Sequence, residues 1–380
     1  MPTPRLLFVD NLRWLMIGLV VTMHAAVTFS NLGSWYYVEP VQLDPASLIV
    51  FVFYQTHLQA FFMGLLFLIA GYFVPGAYER KGPRRFLADR AVRLGVPTLL
   101  YVVIIHPFVD YYLRRVPQGG PFPSFEALCR QYYGGLRFLG GTGPMWFALA
   151  LLFFCVGYAL LRRFRQARPI GQFDAPLPDT AAVVRLIAVI ASATFLVRLV
   201  QPIGTSVLNM QLGFFVQYVA LFAVGTVAWH RNWLLRLRSA FGRRWLWAAV
   251  VVGPVLWLGM MLAGRAGADG FNPFVGGWYW QSAAYSLWES FFGVAFSLGL
   301  LVLFRDRFNR QGSLARFLSD NAFAVYVFHP PILIALTFTL RGPALAPLVK
   351  CALASVLAVV ACFLASHFVF RRVPGLRRVL

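Results

Sequence analysis

Apolar residues fill long runs along this chain, and polar residues are gathered into short stretches between them. Runs long enough to cross a hydrocarbon core of roughly 30 Å recur from end to end. They lie at Leu12–Phe29, Ile49–Phe73, Leu94–Val109, Met145–Leu161, Ala182–Val200 and Leu212–Trp229, then at Leu246–Ala263, Ser282–Phe304, Phe317–Phe338 and Pro347–Phe370. The pattern predicts an all-α polytopic membrane protein of about ten transmembrane helices. No stretch reads as a separate soluble domain, so 1–380 is taken as one integral-membrane domain. Arg5 ahead of an apolar run imitates a signal peptide, but Arg13 breaks that run and further spans follow. It is read as an uncleaved first helix.

The polar stretches set the orientation. Lysines and arginines fall 24 to 7 in favour of one set of alternating loops, with Arg13, Arg185 and Lys350 inside spans. That bias places both termini in the cytoplasm. Composition agrees with the class: 59% of residues are hydrophobic and 12% charged, where a soluble domain is nearer a quarter charged. A net charge of +21 would suit a nucleic-acid partner. Here the basic residues sit between membrane spans, which is a topology signal and excludes that reading. Cys155, Cys351 and Cys362 lie in apolar runs and Cys129 has no loop partner, so no disulfide framework is expected.

The chemistry lies where ionisable groups interrupt the runs. Arg13 and His24 are eleven positions apart on the first span, within about 20° of three full turns and roughly 16 Å apart along the axis. They share one stripe. Arg13 can snorkel to the interface, whereas His24 is too short and too deep. His57, Glu289 and His329 come out roughly 10 to 18 Å inside their own spans, all near the level of His24 in the outer half. Three histidines and a carboxylate at one depth suggest a site. A zinc site is disfavoured, because no two of them share a helix at ligand spacing, and no metal is expected. His106, His230 and His367 read as interfacial. Glu289 needs a partner at its depth, and His24 and His57 are the candidates.

A second cluster lies at the cytoplasmic side. The basic loop from Glu79 leads into the third span through Arg90 and Arg93, which are three apart and share a face. Guanidinium pairs suit phosphate through bidentate hydrogen bonds. Together these residues resemble the integral-membrane acyltransferase-3 family. The resemblance rests on Asp10-Asn11-Leu12-Arg13 followed by His24, Arg90-Ala91-Val92-Arg93, His57 with Phe61-Phe62 and Gly71-Tyr72-Phe73, and Tyr326-Val327-Phe328-His329-Pro330. It implies transfer of an acyl group from cytoplasmic acyl-CoA to a hydroxyl of an outward-facing glycan, lipid or small molecule, in a bacterial-type inner membrane. It also implies that His24 is essential and that the matched arginines bind the donor.

Residues and resemblance agree on one expectation. Arg90 and Arg93, with Arg13, hold the CoA phosphates at the inner mouth, and the pantetheine arm runs outward to His24, the general base. Glu289 is expected to orient His24 and stabilise its imidazolium. Asp10, His57, Tyr326 and His329 are further candidates, and a covalent acyl-histidine stays open. The rival from another class is a transporter or lipid flippase with midplane ionisable relays; an inverted repeat would favour it, and none is visible.

Overall fold

A computed structural model describes residues 5–119, 121–164 and 171–376. Nine helical stretches among them are long and apolar enough to cross a membrane. The second of these runs from Pro45 to Gln118, 74 residues, far more than one crossing needs. It breaks at Gly82, where φ is 73° and ψ 165°. That backbone is open to glycine and strained for other residues, and Pro83 follows it. The break yields two antiparallel crossings and restores the expected ten. We label them α1 (Leu7–Ser30), α2 (45–81), α3 (83–118), α4 (Trp146–Phe164), α5 (Thr180–Val200), α6 (Phe215–His230), α7 (Ser239–Ala263), α8 (Trp280–Arg307), α9 (Ser313–Thr339) and α10 (Pro347–Phe368). No strand occurs among the described residues, apart from an isolated bridge between Val207 and Met210.

α3 extends beyond its expected limits at both ends. Arg90 and Arg93, expected where a loop becomes helix, stand on a helix that begins soon after Pro83. Its irregularity has a sequence cause. π-helical turns at Ala91–Gly95, Tyr101–Ile105 and Val109–Arg115 precede Pro97, Pro107 and Pro117. A similar turn, Ala248–Val252, precedes Pro254 in α7. Each proline lacks the N–H that would bond the carbonyl four residues back, and in each case that carbonyl belongs to the widened turn. The carbonyl of Val103, freed by Pro107, accepts instead from the Tyr133 hydroxyl at 2.5 Å. Tyr133 belongs to an outer helix, Phe125–Gly134, which is thereby docked on α3.

α2 is the central helix and packs most closely on α6. A Cβ at Gly71 would lie 2.2 Å from the Phe222 carbonyl oxygen, and one at Gly225 2.2 Å from that of Leu68. Small residues at the crossing let the backbones meet, which is how helices associate without water to drive them. The loop 31–44 after α1 folds back over the bundle. Glu39 accepts from Lys350 of α10 at 2.6 Å, and Tyr37 stacks on Phe338 of α9. This loop delivers two aromatic side chains to the interior.

Candidate active site

A cavity of about 1720 Å³ runs through the bundle and carries charged groups at both ends. By the loop charges, Asp10, Arg13, Arg90, Arg93 and Arg371 mark its inner mouth. Asp110, Arg114, Arg115 and Arg137 mark its outer mouth. α3 lines it at both ends, from Arg90 to Arg115. Between the mouths the wall is largely apolar, with His24 on it.

His24 is held by rings. Its imidazole stacks on Trp35 with centroids 3.7 Å apart and planes 13° from parallel, and His329 lies 5.4 Å away on a nearly parallel plane. The His24 Nδ1 is buried and has no hydrogen-bond partner among the described residues. His24 lines the cavity, whereas His329 is fully buried behind it. The His329 Nδ1–H donates to the Tyr326 carbonyl at 2.9 Å. A carbonyl only accepts, so this bond fixes the tautomer and leaves Nε2 bare. Pro330 explains why that carbonyl is free, since its missing N–H would have bonded it. The Tyr326 hydroxyl in turn donates to the Pro144 carbonyl at 2.5 Å, tying α9 to the start of α4.

Arg13 lies over the Phe73 ring at 4.9 Å, with Asp10 3.4 Å from its guanidinium. Arg90 lies over Phe86 at 5.3 Å. Asp10 also accepts from Arg5 at 2.6 Å. Asn11 points away from the cavity and fastens the α8–α9 turn, donating to the carbonyls of Phe308 and Arg310. A small side recess lined by Arg80, Lys81, Arg90 and Arg93 adjoins the inner mouth.

Two of the four groups expected at one level are elsewhere. His57 sits in an aromatic box of Phe53, Trp257, Trp288 and Phe292, and its Nδ1–H donates to the Phe53 carbonyl at 2.8 Å. Glu289 does not pair with His24 or His57. Its carboxylate accepts from Arg198 at 2.6 Å, with the two side chains 2% and 0% exposed. Arg198 also donates to Ser286 and to the Gly213 carbonyl, and its guanidinium lies against Phe214 and Tyr285. Depth estimates from the sequence fix a level in the membrane but not the direction in which each helix face turns. Glu289 turns towards α5. Among the described residues no three His, Cys, Asp or Glu side chains gather as a metal site.

A family model described as an acyltransferase domain matches residues 6–367, nearly the whole chain. The chain belongs to the acyltransferase-3 family. It is therefore an integral-membrane acyltransferase, a transferase of groups other than amino-acyl groups. No curated protein and no solved structure matches it.

Several residues around the acyltransferase cavity were absent from the sequence reading. Trp35 and Tyr36 come from a loop with no periodic signal. The Tyr36 hydroxyl bridges Tyr101 at 3.0 Å and the His106 Nδ1 at 2.6 Å. Burial pushes the Tyr36 phenol above its ordinary pKa, so it stays protonated at physiological pH. His106, read as interfacial, stacks on Tyr132 and lines the outer part of the cavity. Arg198, one of the seven basic residues that the loop tally puts on the outer side, falls inside the span expected at Ala182–Val200. An arginine inside an apolar span calls for a carboxylate, and in the structure Glu289 supplies it.

Proposed function

We propose that the donor is an acyl-CoA entering from the inner mouth, that the acceptor hydroxyl enters from the outer mouth, and that His24 is the general base between them. The observation that carries this reading is one continuous cavity, cationic at its inner end, with the His24 ring on its wall. Arg90, Arg93 and Arg13 supply fork-shaped donors for the CoA phosphates. The pantetheine arm lies along the apolar wall, and the thioester reaches the level of His24, roughly 16 Å outward from Arg13.

With Nδ1 buried, the Nε2 edge of His24 serves the cavity. It takes the acceptor proton as the hydroxyl oxygen attacks the thioester carbon. The C–S bond then breaks, and the imidazolium returns the proton to the leaving sulfur. Among the described residues no carboxylate orients this histidine. The Trp35 face takes over that role, fixing the ring by stacking and stabilising the imidazolium by cation–π attraction. Glu289 acts as a strut with Arg198, and His329 supports the wall behind His24. The membrane is of the bacterial inner-membrane type, where cytoplasmic acyl-CoA meets an outward-facing glycan, lipid or small molecule.

Equilibrium binding of CoA to the purified protein tests the donor assignment. Arg90→Ala and Arg93→Ala should each weaken binding about fivefold to thirtyfold, for the loss of roughly 1–2 kcal/mol from a partly exposed charge-assisted contact. Lysine should restore it in part, because the fork is lost. If both alanine variants bind CoA as wild type does, the donor does not enter there.

A further inference from the structure

The outer mouth carries more positive charge than topology asks of it. Seven arginines were assigned to the outer side from the sequence, and three of them have a carboxylate of their own. Arg130 pairs with Glu126 at 2.5 Å, Arg265 with Asp269 at 3.6 Å, and buried Arg198 with Glu289. The cavity holds three more. Arg114 and Arg115 share one carboxylate, Asp110, through its separate oxygens at 2.7 and 3.0 Å. Arg137, also on the cavity lining, forms no ion pair among the described residues. Among the described residues Asp110 is the one acid on this part of the wall, so three guanidiniums face one carboxylate.

Each of these guanidiniums has five N–H donors and spends at most one on Asp110. Neutral hydrogen-bonding groups share the mouth: the Tyr36 hydroxyl and the amides of Gln131 and Gln211. Charge of one sign in a cleft with low-dielectric walls concentrates its field on whatever enters. A neutral polyol would use the amides and the phenol and leave the surplus charge unanswered.

We propose that the acceptor carries an oxyanion, a phosphate ester or a carboxylate, near the hydroxyl that is acylated. Arg137 and the outward N–H groups of Arg114 and Arg115 bind that oxyanion. Its capture fixes the hydroxyl relative to His24. This deepens the proposed function and rests on the acceptor entering from the outer mouth.

The test uses the purified full-length protein in neutral detergent, carrying Arg90→Ala and Arg93→Ala to weaken the inner mouth's hold on the probe. Glycerol 3-phosphate and glucuronate are titrated by saturation-transfer NMR against their neutral counterparts, glycerol and glucose. At least one anion should bind clearly more tightly than its counterpart. Arg137→Ala should weaken it roughly tenfold, with lysine restoring part of the loss. Arg137 is exposed, so its removal leaves the fold intact. Repeating the titration in phosphatidylglycerol and phosphatidylcholine nanodiscs separates the sources. Loss of the probe in phosphatidylglycerol alone assigns the oxyanion to a lipid headgroup, and equal binding assigns it to a soluble or glycan-borne group. Neutral probes binding as tightly as the anions, or anion binding unchanged in both Arg137→Ala and Arg114→Ala, overturns the proposal. Failure of the acyl-CoA reading would show elsewhere, as CoA binding insensitive to Arg90 and Arg93.

Discussion

Replacing Trp35 probes the proposed chemistry at its least conventional point, a histidine base with no carboxylate partner among the described residues. The indole lies 3.7 Å from the His24 ring, close to parallel, on a cavity wall that is largely apolar. A cation–π contact of this kind contributes about 0.5–2 kcal/mol, the upper part of that range applying where the cation is desolvated. The imidazolium exists only once the acceptor proton has moved, so the attraction acts on the transition state and not on bound donor. Trp35→Leu should then lower kcat by about twofold to thirtyfold. CoA affinity should stay the same, because the arginines proposed to bind its phosphates lie at the inner mouth of the cavity. Trp35→Phe keeps a ring face and should lose less. CoA release followed with a thiol reagent gives kcat and KM for both variants at equal folded protein. In a His24→Ala background, Trp35→Leu should cost nothing further. A full additional loss in that background, or unchanged kcat in Trp35→Leu, would refute the stacking role.

Two further outcomes follow from the buried pairs. Glu289→Gln breaks an ion pair that is almost wholly buried and should lower stability by about 3–5 kcal/mol, while turnover per folded molecule is kept. Replacing both partners, Arg198→Met with Glu289→Leu, should recover most of that stability; a lowered kcat in a fully folded Glu289→Gln protein would return the carboxylate to the chemistry. Lys350→Met removes the partner of Glu39 and loosens the loop that presents Trp35. It should reduce kcat several-fold with CoA binding unchanged, well short of the roughly hundredfold that a 1 Å misplacement can cause; equal kcat would detach the loop anchor from catalysis.

Much of the architecture is legible because the bilayer imposes it. Apolar length and loop charge are local properties, and together they yield ten crossings and their direction. The Gly82-Pro83 pair, inside a stretch read as loop, is the sole non-helical break between α2 and α3. The prolines of α3, at 97, 107 and 117, carry a readable signal as well, since each frees a carbonyl that widens the turn before it. What is hidden is azimuth. His24, His57, Glu289 and His329 were placed at one level, yet rotation about each helix axis sends His57 into an aromatic box and Glu289 onto Arg198. His24 and His329 alone come together. Trp35 lies beyond sequence reasoning of this kind, because its position depends on a loop folding back onto α9 and α10.

The central claim is that His24 performs the proton transfer in a cavity shared by donor and acceptor. The measurement that addresses it most directly is acyl transfer by His24→Ala, purified and matched to wild type for melting temperature and CoA binding. A general base contributes about 10² to 10⁴ in rate, so CoA release should fall by that factor while CoA still binds. Activity within a few-fold of wild type, in a protein that folds and binds CoA normally, would contradict the account.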